Sequence, residues 1–243
     1  MSRRRKVFEL LSKIKLVYEG VFLKKFITFI LSFLLITFTL SGCNKTSFNT
    51  EKLYAEAIEK TVEIRSYNTE DKFAYATGCV ISKDGKILTN KHVIMSEGEV
   101  FHHIEVRFYN SNNFISASIF KISETDDLAL IKINKETSNF FNIGHNVKGG
   151  EKIFTIGNPN GFGLSFSAGV VSSPLRYVKY NGSEIKTIQT SIVINSGNSG
   201  GPLFNNYGEL VGLITFRLRT NSGEIIQGVS FALHYSVIDL FLE

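Results

Sequence analysis

Residues 195–203 read Asn195-Ser196-Gly197-Asn198-Ser199-Gly200-Gly201-Pro202-Leu203, a serine held between glycines. Glycines on both sides let the backbone take tight, positive-φ conformations, so that successive N–H groups turn toward one point. An oxyanion hole beside an exposed nucleophile needs that arrangement. Strand-like apolar runs flank the stretch, Ile192-Val193-Ile194 before it and Leu210 to Ile214 after it. The same string also suits a Gly-rich hairpin with no chemistry, so the residues upstream decide.

A serine hydroxyl is a poor nucleophile at neutral pH and needs a nearby base, usually a histidine oriented by a carboxylate. In Ile87-Leu88-Thr89-Asn90-Lys91-His92-Val93-Ile94, His92 lies just beyond a strand-like run. In Glu124-Thr125-Asp126-Asp127-Leu128-Ala129-Leu130-Ile131, two aspartates stand immediately before another. The chain order His92, Asp127, Ser199 is that of chymotrypsin-type enzymes and differs from the α/β-hydrolase and subtilisin orders.

The remaining pattern is one of short apolar runs separated by turns. Val80-Ile81 and Ile87-Leu88 flank Lys83-Asp84-Gly85-Lys86, a hairpin signal. Strands are expected over Ile104–Tyr109, Phe114–Phe120 and Leu128–Ile133. After a connector at Val147-Lys148-Gly149-Gly150 they are expected over Lys152–Gly157, Leu164–Val171, Ile185–Thr190, Glu209–Thr215 and Val229–Ala232. Two comparable blocks of short strands predict an all-β protein built as barrels or sandwiches. Ser236–Leu240 reads as one helical turn.

The motifs TNKHVI, DDLALIKI and GNSGGPLFNNYGELVGL, together with GNPNGFG and the late GVSFAL, resemble the HtrA/Deg branch of the trypsin-like serine proteases. The resemblance spans roughly residues 55–240. It implies two six-stranded antiparallel β-barrels with the active site in the cleft between them. It implies His92 as general base and then acid, Asp127 as the group that fixes the His92 tautomer, and Ser199 as nucleophile. Asp126 is the competitor for the Asp127 role. The oxyanion hole falls at Gly197, Asn198 and Ser199, with the N–H groups of Gly197 and Ser199 as donors. By the same layout Val193 and Ile194 approach the base of the primary specificity pocket, and Thr215, Phe216 and Arg217 wall it. No acid stands where a preference for Lys or Arg would need one, so a small or medium aliphatic residue is expected before the scissile bond. Phe216 and Arg217 are bulky for a pocket wall and would narrow it.

Two features depart from the wider family. Asn198 stands where digestive relatives carry an acid that pairs with a freshly cut N-terminus, so activation by that pairing is not expected. Ordering of loops around Gly161–Ser165 and Val178–Ser183 is the expected gate. HtrA proteins usually continue into a peptide-binding PDZ domain, whereas this sequence stops at Glu243, so regulation by that module is not expected.

The net charge of +5 is carried by the first 42 residues, which hold eight Lys or Arg and two Glu; the remainder has 19 basic against 20 acidic residues. The basic balance therefore gives no support for a nucleic-acid partner. Lys24-Lys25, the apolar run Phe26–Leu40 and Leu40-Ser41-Gly42-Cys43 describe a secretory signal, and the last four residues resemble a bacterial lipobox. That implies lipidation at Cys43, a leader over 1–42, and a lipoprotein anchored in the cell envelope on the periplasmic or extracellular face. An uncleaved signal anchor is the other reading. Because 23 residues precede Lys24, a start at Val21 is a further expectation. Asn44 after the cysteine would resemble an outer-membrane sorting signal in a two-membrane bacterium.

Residues 43–54 read as a tether leading into a protease domain over 55–243, with barrel one about 60–146 and barrel two about 147–236. Leu53, Ala57 and Val62 stand near helical spacing and predict an amphipathic helix over Glu51–Ile64. With Cys43 acylated, Cys79 has no partner, and it reads as a small buried hydrophobe. His102, His103, His145 and His234 show no zinc-site spacing with Cys or carboxylates, and neither metal nor cofactor is expected. Polypeptides are the expected substrates, and a homotrimer is among the assemblies left open. Two other classes compete: a binding or chaperone-like lipoprotein that keeps the fold but cuts little, and a structural lipoprotein with a coincidental GNSGG.

Overall fold

In the computed structural model the described residues are 22, 24–26, 28–30, 49–69, 73–180, 182–219 and 224–243. The expectations for Val21 and Cys43 lie outside them, as does most of the leader. No helix among the described residues is long and apolar enough to cross a membrane. Residues 49–243 form one compact unit, distinct from 1–48.

The compact unit opens with helix α1, Thr50–Ile58. Asn49 caps it, its side chain accepting from the Lys52 N–H at 2.9 Å, which satisfies one of the orphan donors of the first turn. Leu53, Ala57 and Ile58 are buried against Phe141, Phe204 and Leu210. The tether expected over 43–54 therefore does not run to 54, since Leu53 already belongs to the core. The helix expected to reach Ile64 also stops short. Thr61, Val62 and Ile64 are β-branched and favour a pleated strand, and β1 (Thr61–Tyr67) takes them into register with Cys79, Gly78 and Ala76.

The first barrel contains β1, β2 (Ala74–Val80), β3 (Lys86–Thr89), β6 (His103–Phe108), β7 (Ile115–Ile122) and β8 (Ala129–Ile133). Its spatial order is β1-β2-β3-β8-β7-β6, closed by antiparallel pairing of β6 with β1. A small hairpin, β4 (Met95–Ser96) and β5 (Glu99–Val100), projects after His92. The second barrel contains β9 (Lys152–Gly157), β10 (Ser165–Tyr180), β11 (Ser183–Thr190), β12 (Pro202–Asn205), β13 (Leu210–Arg219) and β14 (Ile225–His234). Its order is β10-β11-β14-β13-β12-β9, closed through β9 and β10. Closure leaves no open sheet edge in either barrel.

Several strands run further than the local pattern predicts. β10 continues through Pro174 to Tyr180, with the register against β11 shifting between Ser173 and Arg176. A proline is tolerated in a strand at such a bulge. The single turn expected after Ser236 is an eight-residue helix, α3 (Tyr235–Leu242), which buries Ile238 and Phe241.

Each barrel has its own apolar interior: Val62, Ile64, Val80, Ile87 and Ile131 in the first, Ile153, Val171, Ile188, Leu203 and Ile214 in the second. A third cluster joins residues of both barrels with α1 and α3, including Cys79, Leu88, Leu128, Phe154, Phe204 and Phe241. Burial raises the Cys79 thiol far above its ordinary range, so this cysteine packs as a small hydrophobe.

Candidate active site

The chain turns directly from β3 into a single helical turn, α2 (Lys91–Ile94), after Asn90 in an extended conformation. Val93 and Ile94 are buried and anchor the turn, which leaves Lys91 and His92 facing a cleft. Asn90 is itself fully buried, and its side-chain amide donates to the Asp127 carbonyl at 2.9 Å and to Thr215 Oγ1 at 2.5 Å. One residue thus ties the His92 turn to the β7–β8 connection and to the second barrel.

Asp127 approaches from that connection and accepts twice from His92. Its Oδ1 takes the His92 backbone N–H at 3.0 Å, and its Oδ2 lies 2.7 Å from the ring Nδ1. A carboxylate can only accept, so the proton sits on Nδ1 and Nε2 is left as the acceptor. Asp126 is engaged elsewhere: its Oδ2 accepts from Thr125 Oγ1 at 2.8 Å. Of the two candidate acids, Asp127 is the one in contact with His92.

Ser199 enters the same cleft from the second barrel, in the turn before β12. Its Oγ donates to the Thr215 carbonyl at 3.4 Å; among the described residues no hydrogen bond joins it to the His92 ring. The cleft has a volume of about 560 Å³ and is lined by residues of both barrels, among them His92, Asp127, Ser199 and Thr215.

The backbone around Ser199 is fixed by groups outside the glycine-rich string. Ser196 C=O accepts from the Asn160 N–H at 2.7 Å. A trans peptide holds its C=O and N–H on opposite sides, so pinning the Ser196 carbonyl toward Asn160 turns the Gly197 N–H the other way. Gly197 has φ +94°, and a Cβ there would stand 2.1 Å from the Asn158 carbonyl oxygen. Only glycine fits both demands. Among the described residues neither the Gly197 nor the Ser199 N–H donates to a protein acceptor. The Asn198 N–H does, to Asn195 O at 3.1 Å. Asn198, expected among the oxyanion-hole residues, is therefore corrected: a turn hydrogen bond consumes its donor.

A buried polar chain supports these loops from the first barrel. Thr77, fully buried in β2, donates its hydroxyl to the Gly197 carbonyl at 2.7 Å and accepts from the Asn158 N–H at 2.9 Å. Its own N–H donates to the Ser199 carbonyl at 3.0 Å. Asn158 in turn donates from Nδ2 to Glu63 Oε2 at 3.0 Å, and Glu63 receives Arg107 in a two-pronged pair at 3.1 and 3.0 Å. The Asn158 Oδ1 accepts from Gly163 N–H at 2.8 Å, which ties down the loop expected to act as a gate. Sequence reasoning missed Thr77, Glu63 and Asn158; a threonine in an apolar strand and a glutamate in another carry no local signal.

The residues expected to form the specificity pocket divide. Ile194, Thr215, Phe216 and Arg217 line the cleft. Val193 does not: it is 56 % exposed, while Ile194 is 5 % exposed. Successive side chains of an extended segment point to opposite sides, and here Ile194 takes the inner one. Phe216 stacks on Phe231 with ring centroids 5.1 Å apart. The Arg217 Nη1 donates to the Ile194 carbonyl at 2.8 Å and to Asn195 Oδ1 at 3.1 Å.

None of the other histidines lines this cleft. His103 stacks on Tyr67, and His145 pairs with Asp239 at 3.1 Å. His234 caps α3 by accepting from the Ser236 N–H at 3.1 Å, and burial pushes its pKa down to about 4. No group of three or more His, Cys, Asp or Glu suited to a metal ion occurs among the described residues.

The trypsin-like peptidase domain family matches residues 76–213. The chain is 40 % identical over 163 residues to a probable periplasmic serine endoprotease DegP-like of Hahella chejuensis (strain KCTC 2396), covering 66 % of this chain and 33 % of that protein. It is 37 % identical over 160 residues to the serine endoprotease DegS of Haemophilus influenzae (strain ATCC 51907 / DSM 11121 / KW20 / Rd), covering 65 % of this chain and 46 % of the relative. The chain thus spans a third to under half of the length of these relatives. A solved structure, "HtrA-type protease AlgWS227A with tripeptide", superposes with a TM-score of 0.68 at 23 % identity, covering 81 % of this chain and 62 % of that one; at this identity it speaks for the fold. The chain belongs to the trypsin-like peptidase domain family.

Proposed function

We propose that this protein is a serine endopeptidase that hydrolyses peptide bonds of exported or unfolded polypeptides. The observation that carries the reading is the pairing of His92 Nδ1 with Asp127 at 2.7 Å in the cleft that Ser199 also lines. With Nδ1 protonated, His92 Nε2 is free to take the Ser199 proton as the hydroxyl attacks the scissile carbonyl, and then to deliver it to the leaving amine. Asp127 holds the tautomer and offsets the imidazolium charge. The tetrahedral oxyanion would accept from the uncommitted N–H groups of Gly197 and Ser199. Each such donor contributes on the order of 3 kcal/mol in the transition state, because charge develops where the dipoles already point. To attack, the Ser199 hydroxyl must leave the Thr215 carbonyl and turn toward His92.

Cleavage of unfolded casein by the purified protein, beside its Ser199→Ala variant, tests this. Loss of cleavage in the variant is expected; equal cleavage in both would end the proposal. One observation favours a second reading, a binding protein that keeps the fold and cuts little: the Ser199 hydroxyl is hydrogen-bonded to Thr215. A fluorophosphonate that labels Ser199 would decide for the enzyme. Export and tethering at Cys43 are proposed from the leader sequence and from the periplasmic relatives. Incorporation of radiolabelled palmitate, lost in Cys43→Ala, tests the tether.

A further inference from the structure

Arg217 leaves β13 on one wall of the cleft and ends on the opposite wall, where its Nη1 meets the Ile194 carbonyl and Asn195 Oδ1. The guanidinium therefore lies as a bar across the pocket between β13 and the segment before Ser199. Both of its acceptors are neutral. A guanidinium has five N–H donors, and Nη1 uses its two here. The remaining edge, Nε–H with the Nη2 hydrogens, has no acceptor, ion pair or aromatic ring among the described residues. That edge presents two parallel N–H groups, the arrangement that matches a carboxylate.

The other charges of the cleft leave the edge unclaimed. Asp127 is engaged by His92, and Asp126 by Thr125. Lys91 donates its ammonium to the Ser123 carbonyl at 2.8 Å. Glu184 lines the cleft from β11 and forms no ion pair with Arg217 among the described residues. Because acids face the cleft as well as cations, a long-range field cannot select the substrate. Recognition has to come from direct contact with Arg217.

We propose that Arg217 determines specificity, and that the preferred substrates carry an acidic side chain, Glu or Asp, immediately before the scissile bond. The inference rests on the endopeptidase reading above and changes the aliphatic preference expected from sequence. Long aliphatic side chains meet the bar, whereas a carboxylate meets an unpaired two-pronged donor. Charge-assisted hydrogen bonds are about twice as strong as neutral ones, so a Glu substrate should exceed its Gln isostere by about tenfold in kcat/KM.

The test uses the purified full-length protein and fluorogenic peptides with Glu, Gln, Ala, Val or Lys before the bond, the cleavage site being confirmed by mass spectrometry. Glu is expected to lead Gln by about tenfold. In Arg217→Gln the ratio should fall to near one, and in Arg217→Glu the preference should pass to Lys. Circular dichroism melts report whether each variant is folded. A wild-type ratio near one, a preference for Val or Ala, an acidic preference at another position, or a Glu preference that survives Arg217→Gln each overturns the assignment. If casein is cut and Ser199 is labelled while the ratio is one, only the Arg217 assignment fails. If nothing is cut and Ser199 resists a fluorophosphonate, the endopeptidase reading fails and the preference falls with it.

Discussion

The hydroxyl of Thr77, in the first barrel, donates to the carbonyl of Gly197, in the second, at 2.7 Å, and both groups are buried. The same oxygen accepts from Asn158 N–H, so one side chain sets the spacing between the loop at 158–163 and the loop that carries Ser199. Thr77→Val keeps the shape and removes the hydroxyl, leaving the Gly197 carbonyl and the Asn158 N–H without a partner. We expect kcat to fall by roughly tenfold or more, with KM changed much less, since the lost bond positions the proposed oxyanion donors, Gly197 and Ser199, and would not touch substrate. Steady-state kinetics on a peptide substrate check this; a change confined to KM would count against it.

Gly197 answers to a different constraint. Its φ of +94° and the Asn158 carbonyl oxygen 2.1 Å from any Cβ exclude a side chain. In Gly197→Ala the 196–197 peptide must rotate, which breaks the Asn160 to Ser196 hydrogen bond and turns the Gly197 N–H out of the proposed oxyanion hole. A loss of about 10²- to 10³-fold in kcat is expected, the scale of one missing oxyanion donor. The readout is burst kinetics with an ester substrate, where acylation itself should slow.

Two neighbouring aspartates give opposite expectations. In Asp127→Asn, with Oδ1 kept by the His92 backbone N–H, the amide nitrogen replaces the oxygen that faces Nδ1 and donates to it, so the imidazole takes the wrong tautomer; kcat should drop by about 10⁴-fold. Asp126→Asn leaves the His92 contact intact and should cost no more than about twofold, as for most surface substitutions. Comparable losses in both variants would mean that the acid is shared.

How much of this was legible in the sequence depended on how local each cause is. The all-β architecture showed because turn residues punctuate short apolar runs, as in Lys83-Asp84-Gly85-Lys86 between β2 and β3. The grouping of His92, Asp127 and Ser199 about one cleft was legible because each stands at a strand end within a short distinctive string. Thr77 and Glu63 were not, because their partners lie 120 and 95 residues away along the chain. Val193 and Ile194 could not be told apart, since a loop has no period to say which neighbour turns inward. The end of α1 was misplaced for a related reason: Val62 fits a helical stripe, but the pairing of Thr61 with Cys79 takes it into a strand.

His234 makes stability depend on pH, and the sign follows from its surroundings. It is 7 % exposed, and burial lowers its pKa from 6.5 to about 4, with Lys186 acting in the same direction and Asp239 against it. Protonation would also remove the acceptor that caps α3, since Nδ1 receives the Ser236 N–H. The unfolded chain binds a proton as pH falls through about 6.5, whereas the folded chain waits until about 4. The stabilisation is therefore complete above pH 6.5, is lost progressively between 6.5 and 4, and falls no further below that. His234→Asn keeps a side-chain acceptor at the cap position and does not titrate. Between pH 7.5 and 4.5 the wild type should lose about 5 °C more in Tm than this variant. Parallel losses in the two proteins would show that other groups carry the acid sensitivity.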